Sequence, residues 1–255
     1  MVEESKLQSA IHHHLIRGLI DNGFAPDIAR LQELVSAEPA SVAAALKRLE
    51  ANHSVVCHPH HVAPWVIHPF SLSPTATWVQ ADQRGWWAPC IWCALGVATL
   101  VGEDVVIHSR IGGEAEDLDL HVCGGLVRED DIVTHFAVPL RSAWDNVHHY
   151  CATVLPFRSE ADVDAWSRRH AIPKGAVVPI AQVAELARVW YGKHADHDWE
   201  KWSIAQARQI FEQVGLTGPF WALETDAGGT TLLMPDGEGC PLKSQMPYKR
   251  CSGSQ

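Results

Sequence analysis

The stretch WWAPCIWCALGVATLVG, residues 86–102, holds one threonine and no charged side chain. Its length and composition predict a helix, and a helix apolar all round has to be buried. Hydrophobic residues make up 47% of the chain, so there is material to enclose it. Pro89 suits the first helical position, where its missing N–H costs nothing. Cys90 and Cys93 then fall in the first turn, three apart on one face. Backbone N–H groups and the helix dipole favour a thiolate there.

Upstream, LQSAIHHHLIRGLIDN (7–22) has helical apolar spacing and ends at Gly23. PDIARLQELV predicts a second helix, and SAEPASVAAALKRLEANH a turn and a third, with Val42, Leu46 and Leu49 on one face. SVVCHPHHVAPWVIHPF then reads as two short strands around a His/Pro-rich loop. Three helices and a small ribbon form a winged-helix-like pattern over residues 1–74. A DNA-reading third helix carries basic and amide side chains, whereas this one offers Lys47, Arg48 and Asn52 among alanines. The formal net charge of −10 also opposes attraction to nucleic acid or anionic lipid, so DNA binding is not expected.

No run of about 18 apolar residues predicts a membrane span. The N-terminus lacks the basic start and apolar centre of a secretory signal. A cytoplasmic protein is expected, with its seven cysteines mostly as thiols. The sixteen histidines include His12-His13-His14 and His58-Pro59-His60-His61. Surface and loop roles are expected for these, because consecutive residues of a helix point in different directions and cannot share a metal.

From Thr75 the pattern changes. TATWVQ, DVVIHSRI, DLDLHVCGGLV and DIVTHFAVPL read as strands. DNVHHYCATVLPFRS is also read as extended, which puts His149 and Cys151 on one face and His148 on the other. SEADVDAWSRRH predicts a helix capped by Ser159, and VVPIAQVAELARVWYG another. The expected organisation is a core over 75–192, a helical extension with aromatic flanks over 193–233, and a flexible Gly/Pro-rich tail over 234–255. That tail carries Cys240 and Cys251.

The Cys90–Cys93 pair has three readings. A thioredoxin-like dithiol is disfavoured, because Ile91-Trp92 stands between the cysteines and no βαβ pattern surrounds them. A closed zinc site lacks a second compact pair, since Cys123 and Cys151 are single. Burial as small hydrophobes fits Cys57 and Cys123 better than Cys90 and Cys93.

WCALGVATLVG and CATVLPFRSEADVDAWSRRH resemble the organomercurial (alkylmercury) lyase family, over roughly residues 30–192. The resemblance implies an α+β fold: a winged-helix-like N-terminal domain, then a core with a small mixed or antiparallel sheet and flanking helices. It also implies cleavage of the carbon–mercury bond of R–Hg⁺ by two thiolates and a proton-donating carboxyl group. Aligned on WCAL, the first cysteine is Cys93, the remote one Cys151, and the family Asp position falls on Gly96. A rival register makes Cys90 the first cysteine and Cys93 the Asp replacement; neither register retains the carboxylate.

Hg(II) prefers thiolates, so Cys93 and Cys151 are the expected metal ligands, with Cys90 as a third sulfur. Cys90 and His149 are candidate proton donors. Asp145, Glu114 and Glu116 are candidate stand-ins for the carboxylate, though each reads more simply as surface charge. Gly96 either allows close packing or opens pocket space, and Gly96→Asp is expected to raise turnover. Trp87 and Trp92 are candidate pocket walls. No resident cofactor is expected. The expected partners are an organometal substrate and small thiols that remove the product, with Hg(II) or another soft metal ion bound. The alternative is a non-catalytic thiolate binder of Hg(II), Cu(I) or Zn(II).

Overall fold

The computed structural model describes residues 2–223. Three helices open the chain: α1 (Val2–Asn22), α2 (Ile28–Val35) and α3 (Pro39–Ala51). Asp27 caps α2 by accepting the Arg30 N–H at 2.8 Å. Pro39 occupies the first turn of α3, where its lack of a donor is harmless. The apolar faces meet through Ile11, Leu15, Leu31, Val42 and Leu46, all fully buried.

Strands β1 (Val55–Cys57), β2 (Pro64–Ile67) and β3 (Phe70–Ser71) follow, then β4 (Trp78–Gln80) and β5 (Gly85–Trp87). The tryptophan pair Trp86-Trp87 is therefore strand. The apolar helix α4 is shorter than the sequence reading, Ile91–Val101, and ends at Gly102 in the left-handed conformation (φ 70°) that glycine adopts without strain. Pro89 lies outside α4, and Cys90 is its extended N-cap. Next come β6 (Val105–Arg110), β7 (Asp117–Cys123), β8 (Leu126–Val127) and β9 (Val133–Phe136).

Residues 147–152 form α5 (Val147–Ala152), and the strand β10 (Val154–Phe157) starts only afterwards. The extended reading of His148 to Cys151 is thus corrected: the side chain of Asn146 accepts the His149 N–H at 3.0 Å and nucleates a helical turn. The described part of the chain finishes with α6 (Glu160–His170), β11 (Ala176–Pro179), α7 (Ile180–Tyr191) and α8 (Ile204–Gln213). Ser159 caps α6 as expected, its Oγ accepting the Asp162 N–H at 3.2 Å.

All strand pairs are antiparallel. One sheet has eight strands in the order β1-β2-β3-β5-β4-β6-β7-β8, and the other three in the order β10-β9-β11. The ribbon after the three helices therefore continues into the same sheet as the central strands. One hydrophobic cluster runs from Ile11 through α4 to Leu223. At its centre Trp92 meets Phe136, Trp190, Tyr191 and Phe211, with ring centroids 5.6–6.3 Å apart. Those rings come from β9, α7 and α8, so α4 is walled in by later parts of the chain. No described helix is long and apolar enough to cross a membrane.

Candidate thiolate metal centre

The connection from β5 into α4 is held by backbone and hydroxyl bonds. The Ala88 N–H donates to the Thr77 carbonyl at 3.0 Å, and Thr75 Oγ1 donates to the Ala88 carbonyl at 2.7 Å. Cys90 is thereby fixed as the N-cap, its Sγ accepting the Cys93 N–H at 3.4 Å. Cys151 arrives from the last turn of α5. The sulfurs of Cys90, Cys93 and Cys151 all lie within 4.8 Å of one another, and all three residues are buried. The five described cysteines are free thiols.

The three sulfurs differ in their surroundings. Burial pushes the Cys93 thiol up, but hydrogen bonds with Cys151 and Cys90 and the imidazole of His68 outweigh it and hold Cys93 well below the ordinary range. Burial raises Cys90 well above that range. Hydrogen bonds with Cys90 and Cys93, together with burial, raise Cys151 likewise. The surroundings favour the thiolate at Cys93 and the protonated thiol at Cys90 and Cys151. Such a group of soft donors suits a thiophilic metal ion.

Two spaces meet at the sulfurs. An inner cavity of about 40 Å³ is bordered by Cys93, Cys151, His68, Tyr150, Tyr191 and Lys201. A larger cleft of about 540 Å³ is bordered by Cys90, Cys151, Thr75, His148, Val154 and Trp166. Cys151 faces both. No Asp or Glu lines either space among the described residues.

The other sequence candidates are distributed as follows. His149 lies on the exposed side of α5 and lines neither space, because a helix turns it away from Cys151; His148, three before Cys151, borders the cleft instead. Trp87 packs edge-on against Trp78 in the sheet, 5.2 Å between centroids, and lines neither space. Trp92 borders the inner cavity. Glu114 is tied to Arg169 and His170, Glu116 to Arg158, and Asp145 is exposed, so all three are surface charges.

Gly96 opens no space. A β-carbon there would lie 2.3 Å from Cδ2 of Tyr191, so its bare Cα is covered by that ring. The Tyr191 hydroxyl is 3.5 Å from Cys93 Sγ. Tyr191 and His68 escaped the sequence reading. His68 lies inside the quoted VIHPF and has no local signature, while Tyr191 is 98 positions from the cysteine it touches. His68 Nε2 is buried without a hydrogen-bond partner among the described residues, and the residue borders the inner cavity together with Cys93.

The triplet His12-His13-His14 shares no metal. His12 is fully buried on Trp199 with ring centroids 4.1 Å apart, while His13 and His14 are partly exposed. Cys240 and Cys251, and the expected tail, lie outside the described residues.

A buried cluster of three sulfurs drawn from two distant segments has the donor set and spacing compatible with a soft metal ion. Residues 70–192 match the family described as MerB, alkylmercury lyase, and this segment contains all three cysteines. The matched segment is slightly less than half of the chain, and over that length the chain is similar to the alkylmercury lyase family. A crystal structure described as the mercury-bound form of MerB2 has a similar fold, with a TM-score of 0.58 at 20% identity. The similarity spans 78% of this chain and 100% of that one. No curated protein sequence matches.

Proposed function

We propose that this protein cleaves the carbon–mercury bond of organomercurial cations, with Cys93 and Cys151 as the two mercury ligands and Cys90 as the third sulfur. The observation that carries this reading is the convergence of the three buried sulfurs within 4.8 Å in the segment that matches the family. Cys93, the thiolate of the group, is the first to capture R–Hg⁺. Cys151 then displaces the organic group, its sulfur replacing carbon on mercury while a proton goes to the carbon. Mercury is substrate and product here, small thiols carry Hg(II) away, and no resident cofactor is invoked.

The two registers of the resemblance divide the roles differently. Placing the family Asp at Gly96 keeps the WCAL match. Placing it at Cys93 keeps three functional groups together at the metal, and the mutual proximity of the sulfurs supports that alternative. A second reading, a thiolate binder that holds Hg(II), Cu(I) or Zn(II) without chemistry, is favoured by one observation: among the described residues no carboxylate lines the cavity or the cleft.

The test is incubation of the purified protein with phenylmercury and excess small thiol, followed by measurement of benzene. Release is expected from the wild type and is expected to vanish in Cys93→Ser and Cys151→Ser. Stoichiometric metal uptake with no benzene would replace the lyase by the binder.

A further inference from the structure

Resting on the lyase reading, we propose that Tyr191 is the catalytic acid of this site, its phenol taking the volume that a carboxylate-bearing side chain at position 96 would need. Two contacts of one residue carry this. The ring lies over the bare Cα of Gly96, closer than any β-carbon there permits. The hydroxyl at the end of that ring reaches Cys93 Sγ at 3.5 Å. Tyr191 ends α7, and its ring is wedged against Trp92 at 5.8 Å and His194 at 5.0 Å, so the hydroxyl has a fixed aim.

With R–Hg on Cys93, this hydroxyl stands beside the mercury-bound sulfur, and the carbon it is to protonate lies two bonds on, across the mercury. A phenol ordinarily titrates at about 10, so it carries its proton at neutral pH. With Cys93 as thiolate, the phenol is the donor in their contact.

The step balances without an oxidant or reductant. The C–Hg bond breaks and its electron pair takes the Tyr191 proton to form C–H. The Cys151 sulfur forms the second S–Hg bond and loses its proton, which restores the phenol through the cavity that both residues line. Mercury remains Hg(II). His68 also approaches Cys93, and its imidazole serves the thiolate. It does not cover Gly96.

Tyr191→Phe keeps the ring over Gly96 and removes only the hydroxyl. The measurement is single-turnover benzene release after phenylmercury capture, with capture followed by intact-protein mass. The expected result is one phenylmercury held per protein and benzene release slowed about 100-fold or more. Release at the wild-type rate would overturn the proposal while leaving the lyase reading intact. Wild type that captures phenylmercury and releases nothing would end both. A merely structural role would weaken capture and release together, and that outcome also counts against it. If Tyr191→Phe fails to fold by circular dichroism, Gly96→Ala displaces the ring with the phenol still present. Slowed release with capture intact supports the proposal, and unslowed release overturns it.

Discussion

A β-carbon at position 96 lies inside van der Waals contact with Tyr191, so the smallest enlargement there overpacks the core. Gly96→Ala gains some helix propensity, but the overpacking of about 1–3 kcal/mol is the larger effect. Urea unfolding is expected to show a lower midpoint at unchanged slope. An aspartate at 96 adds burial of an unpaired carboxylate to the same collision. The expectation that Gly96→Asp raises turnover therefore reverses: it is expected to lower both stability and hydrocarbon release. The sequence exposed Gly96 as an anomaly in an apolar helix, but the residue that explains it is 95 positions away on α7. Cys90 and Cys93 were legible as a close pair at the start of an apolar helix, whereas Cys151 was reached only through the resemblance to the alkylmercury lyases. His149 was misplaced because a six-residue helix, set by the side chain of Asn146, looks like a strand in sequence.

At the scale of elements, caps decide where the site begins. Had α4 started at Pro89, Cys90 would sit inside the helix; as the extended N-cap it turns its sulfur back onto the Cys93 N–H. The same logic applies to α8, which brings Phe211 against Trp92 and Trp190. Ser203 and Gln206 form a reciprocal capping box at its start, with Ser203 Oγ accepting the Gln206 N–H at 3.3 Å. Ser203→Ala is expected to cost about 1 kcal/mol, read as a lowered denaturation midpoint with the fold retained. These caps follow from Ser, Asn and Asp placed just before apolar periodicity, so most helices were readable. The strand β11 was not, because four residues leading straight into α7 carry too little alternation to separate from the helix.

The whole molecule carries several histidines that its interior holds neutral. Burial, with the nearby Lys201 charge, pushes His12 down to about 3, and the same causes bring His53 to about 4. Burial and the Lys174 charge take His135 to about 4. His135 Nε2 accepts the Gly175 N–H at 3.0 Å, a bond that protonation would break. Each folded pKa lies below the unfolded value of about 6.5. Above that pH both states are neutral and stability is full. As pH falls through it, the unfolded chain takes up protons that the folded chain refuses. Stability is therefore expected to decline between pH 6.5 and about 4, by up to roughly 1.4 kcal/mol per pH unit for each such group. Denaturant titrations at pH 7, 6 and 5 measure this, and His12→Leu, which removes one fully buried group, is expected to flatten the slope.

Local chemistry and periodicity were sufficient to specify an apolar central helix and the Cys90–Cys93 pair, and the resemblance carried by WCAL and the downstream cysteine segment added the α+β fold and Cys151. Those properties reside in neighbouring residues, whose spacing sets helix faces and caps and whose chemistry selects a soft metal. The covering of Gly96 by Tyr191, the arrival of His68 beside Cys93, and the division of the sulfurs between cavity and cleft were decided by tertiary packing alone. They depend on where α7, α5 and the strand edge settle around α4. That choice is made by the fit of many side chains at once and leaves no periodic trace in any one segment.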